Sequence, residues 1–377
     1  MSARGELRVT SAPLPPLAGL EREWHALEMR GEHSFFMSWH WIGSWLSQLP
    51  ADVPCRLLRA ERGDATVGLA VICANKTRRH GFVSSRGLYL HRTGVEELDE
   101  LTVEYNGFLA EDGAAGEVTR AFISHLRGES GWDELYLTGW HHLDLLPDLA
   151  QAHDGAIKSV RRFFYYVDLD ELRRGGSRYP ERLPKNIQYN LRRSVRDYEK
   201  HGALKFDVAG TTDEALEFLA GLKDLHQRSW QARGEPGAFA NRYFDAFHVA
   251  LVRRLFPENV IQLTRLTVGD RAIGYFYNFV YRRRLYHYQS GLDFEFDSKL
   301  SPGTVCHAHA VEYNLKAGTG IYDFMAGELK YKKDHATHSG EMLWLVLRRP
   351  RLKFMAEDWL RGMKNRLRGG AAVSEAV

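Results

Sequence analysis

A ten-residue pattern that occurs twice is the strongest constraint on how this chain folds. Residues 59–68 and 265–274 both follow R-x-x-x-G-D-x-x-[VI]-G. In each copy a Gly-Asp pair stands between two apolar runs. This is typical of a β-hairpin, because glycine readily adopts the positive φ that such turns need. A tryptophan-bearing helical segment precedes each copy. The pattern predicts two related domains; the alternative is chance repetition of a common turn.

Hydrophobic periodicity gives the outline of both domains. We expect an N-terminal domain over residues 1–170, a basic connector over 171–201, a C-terminal domain over 202–347 and a basic amphipathic tail over 348–377. The first domain is predicted to contain helices near 18–29, 38–48 and 115–127, a hairpin near 55–74 and a strand at 134–138. The second is predicted to contain strands at 204–208, 260–268, 272–281, 285–290, 321–325 and 342–347, and helices near 213–230, 239–255 and 304–317.

Composition excludes several classes of protein. The chain is 44% hydrophobic with a net charge of +3, so it can bury sizeable cores and is not a general nucleic-acid binder. Its basic character is concentrated in residues 348–369, where Leu352, Met355 and Trp359 begin an apolar helical stripe. Such a tail predicts peripheral contact with an anionic membrane; docking on the rest of the protein is the alternative.

The compartment is predicted from two features. The three cysteines, Cys55, Cys73 and Cys306, form no paired framework, which fits a reducing environment. The N-terminal residues resemble no signal peptide, and the apolar stretches are too short to cross a bilayer. We therefore expect a cytoplasmic protein, peripheral at the inner face of the membrane if the tail binds lipid.

The C-terminal domain carries the most specific motifs. They are Y-x-x-G at 288–291, L-S-P-G-T at 300–304, Y-D-F at 322–324, G-E at 327–328 and Y-K at 331–332. In this order they resemble the C-terminal signature of the CelD-like branch of the GNAT acetyltransferase superfamily. That branch is associated with cellulose and exopolysaccharide synthesis and is related to Fem-type transferases. The connector motif L-P-K-N at 183–186 is similar to the same family.

The resemblance covers most of the chain and implies both a fold and a reaction. The implied fold is α/β (strictly α+β), with two tandem GNAT-like domains, each a mixed, mostly antiparallel sheet flanked by helices. The implied reaction is acyl transfer from a thioester to an amine, with acyl-CoA as co-substrate and no permanently bound cofactor. Such enzymes polarise the thioester carbonyl with backbone N–H groups where two central strands separate. The acceptor amine must lose a proton as it attacks.

Residues in the C-terminal domain are assigned to this chemistry. His287 is the candidate base, because its ordinary pKa lies near working pH and its strand position opposes Tyr286 and Tyr288. Asp323 lies on an apolar strand, where a carboxylate is costly unless it is paired or functional. Tyr331 is the candidate proton donor to the leaving thiolate. For each of these residues, a structural role in the core is the alternative.

The remaining candidates would bind the two substrates. Ser301, Gly303 and Thr304 begin a helix whose free N–H groups suit a pyrophosphate, and Lys332 would contact donor phosphates. The candidate acceptor-binding residues are Tyr277, Tyr288, Glu104, Asn106 and Glu328. We assign His307, His309 and Glu312 to structural or solvent-facing positions. His307 and His309 lie two apart on one helix and do not make a metal pair, so no metal site is expected.

Several functions fit these observations. The preferred one is an acyl-CoA-dependent N-acyltransferase acting on a long-chain, sphingoid-type amine to give a ceramide-like amide, as in a ceramide synthase-type enzyme. The alternatives are an amino-sugar acyltransferase in exopolysaccharide synthesis, a Fem-like aminoacyl-tRNA-dependent transferase, and a non-catalytic binding module. The expected partners are acyl-CoA and a small-molecule or lipid amine, and nucleic acid is not expected.

Overall fold

A computed structural model of the chain describes residues 6–79, 83–297, 299–357 and 359. The chain divides into two units, of which unit 1 contains Met1–Arg162 and Met342–Val377 and unit 2 contains Phe163–Glu341. Each unit is built on a mixed, mostly antiparallel sheet flanked by helices. This confirms the fold class expected from the sequence.

Unit 1 begins with a strand and two helices and then forms its sheet. Its elements are β1 (Arg8–Pro13), α1 (Leu17–Glu28), α2 (Trp39–Gln48), β2 (Cys55–Arg62), β3 (Ala65–Arg79), β4 (Val83–Leu90), β5 (Leu109–Ala110), α3 (Ala115–Gly128), β6 (Glu134–Trp140) and α4 (Leu146–Ala152). The strand order is β1-β2-β3-β4-β6, with β5 against β3. The pair β4–β6 is parallel, whereas the other neighbours in this order are antiparallel.

Unit 2 repeats this arrangement after three connecting helices. Its elements are the second half of β7 (Ala156–Asp168), α5 (Leu169–Arg174), α6 (Tyr179–Arg182), α7 (Lys185–Glu199), β8 (Leu204–Val208), α8 (Thr212–Gln231), α9 (Arg242–Leu255), β9 (Ile261–Val268), β10 (Arg271–Tyr281), β11 (Arg284–Leu292), α10 (Pro302–Lys316), β12 (Ile321–Ala326), α11 (Lys330–His335) and the start of β13 (His338–Arg348). The strand order is β7-β12-β11-β10-β9-β8. The parallel pair is β11–β12.

Both copies of the repeated pattern form the predicted hairpins. In unit 1, β2 and β3 meet at Gly63, with a φ of 61°; in unit 2, β9 and β10 meet at Gly269, with a φ of 55°. The positive φ at both glycines explains why the pattern requires glycine there. The predicted helices and strands are likewise confirmed, with bounds that differ by a few residues at some ends.

The stretch expected to be a connector is part of unit 2. Residues 171–201 contribute to α5, α6 and α7, and α7 packs against α10. The packed face of α7 consists of Ile187, Leu191, Ser194 and Tyr198, which recur at helical spacing and are buried. Because this apolar stripe needs a partner, the segment folds onto the domain instead of linking two domains.

The expectation about the cysteines is wrong for two of the three. Cys55 and Cys73 are joined by a disulfide, whereas Cys306 is free and buried. The two bonded residues lie directly opposite each other on β2 and β3, with Cα atoms 4.2 Å apart. Hairpin register, which brings together residues nearly equidistant from the Gly63 turn, explains the pairing. The cysteines therefore give no support to a reducing compartment.

The C-terminal segment belongs to unit 1 as far as the structure describes it. Arg348, expected in the basic tail, ends β13 and is buried between Glu134 and Glu357. Leu352, Met355 and Trp359 are exposed, whereas the rest of the predicted tail, from residue 360, lies outside the described residues. Among the described helices, none combines the length and apolar character needed to cross a bilayer.

Candidate functional site

An opening between the two parallel strands of unit 2 defines the candidate site. Strands β11 and β12 pair only from Arg284↔Ile321 to Tyr286↔Asp323, although β11 continues to Leu292. Beyond this point, β12 bends at Met325, whose φ is 62°. In the described part of the chain, the edge of β11 facing β12 therefore has no strand partner past Tyr286.

Two charged side chains stabilise the bend of β12. Asp323 accepts a hydrogen bond from Met325 N at 2.7 Å, and its other oxygen is bound by Arg284 at 2.6 and 2.8 Å. Lys332 donates to the carbonyl oxygen of Ala326 at 2.6 Å. Asp323 is completely buried, and a charge of this kind persists in a core because it is paired.

A cavity of about 560 Å³ occupies this opening. Its walls come from α8, β11, the loop after β11, the start of α10 and α11. Seven of the candidate residues line it: His287, Tyr288, Ser301, Gly303, Thr304, Tyr331 and Lys332. The sequence motifs therefore meet at one place, although they are spread along residues 288–332. His287 directly precedes the first of them.

The other candidate residues do not line the cavity. Asp323 lies beneath the bend of β12, as described above. Tyr277 is buried against His248 of α9, with its hydroxyl 3.3 Å from the ring nitrogen. Glu328 follows β12 and is exposed. Glu104 and Asn106 belong to unit 1, where both are buried.

His287 is held as a neutral base. Its Nδ1 lies 2.9 Å from Asn278 Oδ1, and no described residue hydrogen-bonds to its Nε2. Burial, together with the charge of Lys332, lowers its pKa to about 3. An imidazole with so low a pKa carries a free lone pair throughout the neutral range, but it is a weaker base than the histidine with an ordinary pKa that was expected from the sequence.

A chain of side-chain amides determines which nitrogen of His287 carries the proton. Asn278 donates through Nδ2 to Gln262 Oε1 at 3.2 Å, and Gln262 donates through Nε2 to Asn314 Oδ1. Asn314 in turn donates to the carbonyl oxygen of Ala310. This chain leaves Asn278 Oδ1 as an acceptor, so His287 Nδ1 donates and Nε2 is the basic nitrogen.

Tyr331 lies on the same side of the sheet as His287. The ring of His307 lies between them, with its centroid 4.8 Å from that of His287 and 5.5 Å from that of Tyr331. Burial raises the pKa of Tyr331 to about 12. Its phenol therefore stays protonated at neutral pH, as a proton donor must.

Three cavity histidines were not assigned to the site from the sequence. His307 was placed among the structural residues, yet it lines the cavity, as do His226 and His335. His335 Nδ1 bonds to the carbonyl oxygen of Tyr331 at 2.8 Å, and His335 follows Tyr331 by one helical turn. The four-residue spacing between Tyr331 and His335 was the signal in the sequence that could have assigned His335 to the site. No cluster of ligands suited to a metal ion occurs among the residues that the structure describes.

The start of α10 offers backbone donors to the cavity. Ser301 precedes the helix with a φ of −116° and a ψ of 78°, and its side chain makes no capping hydrogen bond. Pro302 occupies the first turn, and Gly303 and Thr304 follow it on the cavity wall. The N–H groups of a helix's first turn lack intrahelical partners and attract anions, so this end of α10 suits a phosphate.

The corresponding opening in unit 1 is closed by its own chain. Strands β4 and β6 also pair over only three positions, ending at Tyr89↔Tyr136. Asn106 then bonds through its N–H to Gly139 O at 2.8 Å and through its side chain to Leu90 O at 3.1 Å. Its Oδ1 lies 2.8 Å from His91 Nδ1. The structure thus places Asn106 inside the opening of unit 1, as a part of the fold.

Comparison with known proteins identifies the kind of domain. Residues 185–333 match the family model described as an acetyltransferase (GNAT) domain. This range includes strands β8 to β12, the start of α10 and the cavity residues from His287 to Lys332. Within unit 2 the chain is therefore similar to a GNAT acetyltransferase domain, which supports an acyltransferase. No curated protein matches the chain.

Solved structures share the fold of the chain at low sequence identity. FemX has a TM-score of 0.55 at 11% identity, covering 89% of this chain and 96% of FemX. The C-terminal domain of a putative lysylphosphatidylglycerol synthetase from Agrobacterium fabrum has a TM-score of 0.53 at 13% identity, covering 96% and 100%. L-PGS from Bacillus licheniformis has a TM-score of 0.52 at 13% identity, covering 96% and 98%.

Proposed function

We propose that the protein is an N-acyltransferase that moves an acyl group from a coenzyme A thioester to a primary amine in the cavity of unit 2. The observation that carries this proposal is the pairing of His287, a neutral base, with Tyr331, a protonated phenol, around one cavity in the opening of the sheet. A base and an acid at the same opening are what amide formation from a thioester needs.

The proposed reaction has one bond-forming and one bond-breaking step. The amine nitrogen attacks the thioester carbon, and His287 Nε2 takes a proton from it. The carbonyl oxygen gains negative charge, which backbone N–H groups on the open edge of β11 stabilise. The C–S bond then breaks, and Tyr331 gives its proton to the leaving thiolate. The products are an amide and coenzyme A. His287 then loses its added proton to solvent, and Tyr331 regains a proton from solvent.

The donor is proposed to bind with its pyrophosphate at the start of α10. Ser301, Gly303 and Thr304 line the cavity there, and the free N–H groups of the helix favour negative charge. Asp323 and Lys332 act in this proposal by maintaining the bend of β12, since Lys332 donates its hydrogen bonds to backbone carbonyls. Both are positioning residues, which differs from the catalytic and phosphate-binding roles expected from the sequence.

The proposed acceptor is a long-chain amine, with a sphingoid-type base as the preferred example. Phe294 and Leu329 line the cavity and are more than half exposed, which provides an apolar entrance for an alkyl chain. Exposed Leu352, Met355 and Trp359 provide a second apolar surface near basic residues, suited to peripheral contact with a membrane. An amino sugar, which lacks an alkyl chain, would gain nothing from either surface.

A Fem-like reaction that uses aminoacyl-tRNA is the second candidate. The fold likeness to FemX and a basic face on α7 favour it. On that face, Lys185, Arg192 and Arg196 are exposed beside Tyr189, an arrangement that suits a phosphate backbone.

Product analysis with the purified full-length chain tests both candidates. The chain is incubated with mixed acyl-CoAs and a panel containing a sphingoid base, simple alkylamines and amino sugars, and amides are identified by mass spectrometry. We expect amides of the long-chain amines, with the amount unaffected by ribonuclease. Transfer only from aminoacyl-tRNA, abolished by ribonuclease, would favour the Fem-like reaction. Acylation of amino sugars alone would overturn the long-chain acceptor.

A further inference from the structure

A histidine of α8 approaches the cavity from the face of β11 opposite to His287. Helix α8 crosses β11 very closely at Gly291, where an added Cβ would lie 2.2 Å from Leu222 O. One turn further along α8, His226 Nδ1 lies 3.2 Å from the carbonyl oxygen of Ser290. A carbonyl oxygen only accepts hydrogen bonds, so Nδ1 carries the proton and Nε2 carries the lone pair.

The Nε2 atom of His226 is buried and has no hydrogen-bond partner among the described residues. His226 is 6% exposed and lines the cavity. Burial lowers its pKa, which keeps the ring neutral. Leaving a buried acceptor unsatisfied destabilises the folded protein. A neutral acceptor atom retained at the wall of a cavity is therefore suited to a ligand that brings a hydrogen-bond donor.

The cavity has two chemically different sides. The α10 and α11 side carries His287, Tyr331 and the start of α10, which the proposed function assigns to the donor and to proton transfer. The α8 side carries His226, Ser229 and Trp230, and Arg233 lies 4.4 Å over the ring of Trp230. Since the donor is assigned to the first side, the α8 side is left for the acceptor.

We propose that the α8 side is the acceptor subsite and that His226 and His287, which both line the cavity, bind the two N–H groups of a neutral primary amine at the open edge of β11. His226 accepts one N–H as a hydrogen bond and keeps the amine oriented. His287 accepts the other and takes its proton as the C–N bond forms. The lone pair of the amine then points at the thioester carbon. This inference rests on the proposed function and predicts a preference for primary over secondary amines. A secondary amine has only one N–H and therefore loses one of these contacts.

Discrimination between amines tests the role of His226. Rates are measured with a primary alkylamine and its N-methyl derivative, using one acyl-CoA, for the wild type, His226→Ala and His226→Gln. We expect the wild type to prefer the primary amine by tenfold or more. His226→Ala should raise the acceptor KM at least tenfold, leave the donor KM within twofold and reduce the preference below threefold. His226→Gln keeps an acceptor oxygen and should restore part of the preference.

His248→Ala is the matched control. His248 also has a buried Nε2 with no partner among the described residues, but it lies on α9 and does not line the cavity. This variant should lower the thermal midpoint and keep the preference for the primary amine. An unchanged preference in His226→Ala would overturn the inference, as would a rise in donor KM without a rise in acceptor KM. If the wild type forms no amide with any amine, the proposed function itself fails, which is a distinguishable result.

Discussion

His287 is kept neutral by its surroundings, and this determines how the reaction should depend on pH. Its pKa is lowered to about 3, so its protonation has no effect on activity between pH 5 and 9. Tyr331, with a pKa raised to about 12, also stays in one form over this range. Asn278 selects the tautomer of His287, so the basic nitrogen is Nε2.

The acid limb of kcat/KM is predicted to follow the acceptor. Only the neutral amine attacks, so kcat/KM should rise tenfold per pH unit up to the pKa of the amine that is supplied. Acceptors with different pKa values should shift this limb by the same difference. An acid limb near pH 6.5 that stays in place for every acceptor would show that a histidine with an ordinary pKa controls the rate.

Substitution of His287 is predicted to lower kcat. Without the base, His287→Ala should lose about 10²-fold in kcat, the lower end of the usual contribution, because a base with a pKa of about 3 accepts a proton weakly. The donor KM should change little, because the α10 end is untouched. His309→Ala is the control, since His309 lies on α10 but does not line the cavity. Steady-state kinetics of both variants checks this, and equal losses in the two would contradict the assignment.

The effect of Tyr331→Phe is predicted to depend on the leaving group. The variant removes the proton donor, so transfer from an alkyl thioester such as acyl-CoA should slow by about 10²-fold. An acyl ester of an arylthiol, which leaves without protonation, should be nearly unaffected. The rates with the two thioesters measure this. A loss of the same size for both would indicate that Tyr331 serves only to shape the cavity.

The residues assigned from the sequence that do line the cavity lie in short local motifs or next to one. Thr304 and Tyr331 belong to such motifs, and His287 directly precedes one. His226 was not assigned, because its role depends on α8 crossing β11 at Gly291, a contact that no spacing along the chain reveals. Asp323 was recognised as a costly buried charge, but its pairing with Arg284 became evident only from the register of β11 and β12.

At the scale of elements, two positions of the repeated pattern make equivalent contacts in each unit. The arginines, Arg59 and Arg265, bind Glu23 on α1 and Glu217 on α8. The final glycines make room for a helix: a Cβ on Gly68 would lie 2.5 Å from Val118 of α3, and one on Gly274 would lie 2.5 Å from Cys306 of α10. The pattern was therefore predictive because its arginine and final glycine support contacts between elements, and Gly63 and Gly269 provide the positive φ of the turns.

Substitution of Gly274 is predicted to displace α10. The added methyl of Gly274→Ala would overlap Cys306 Sγ, and such overpacking costs about 1–3 kcal/mol of stability. Because α10 carries the proposed phosphate site, the donor KM should rise as well. The double variant Gly274→Ala with Cys306→Ala removes the overlapping sulfur and should regain part of the loss.

Gly210→Ala provides the comparison for this experiment, since its nearest neighbour would be 3.7 Å from the new Cβ. Urea unfolding measures the stability of all three variants. If Gly274→Ala is as stable as the wild type, or if Cys306→Ala gives no recovery, the contact between β10 and α10 does not explain the glycine.

At the scale of the whole chain, two units with the same order of strands have different openings. In unit 2 the opening between the parallel strands holds a cavity, whereas in unit 1 it is occupied by Asn106. The expectation of two related domains came from the repeat, but the sequence did not reveal that residues 171–201 pack within unit 2 or that β13 passes from one unit to the other. Both facts depend on long-range packing.

Stability is predicted to fall between pH 6.5 and 5. Burial lowers the pKa of His91 to about 4 and those of His248 and His287 to about 3, below the ordinary value that they regain on unfolding. In this pH range the unfolded chain binds more protons than the folded chain, so acidification favours unfolding. By pH 5 each histidine should cost about 2 kcal/mol. Urea unfolding at pH 7.5 and pH 5 measures the difference, and equal stabilities would contradict the burial of these rings.

The central claim is that the opening of unit 2 binds the acyl thioester, and photolabelling tests it most directly. An acyl-CoA with a diazirine near the thioester is irradiated with the full-length protein, and labelled peptides are located by mass spectrometry. The account predicts labels on residues 284–304 and 329–335 that unlabelled acyl-CoA removes by competition. Competable labels confined to residues 83–110 and 134–140 of unit 1, with none in unit 2, would contradict it.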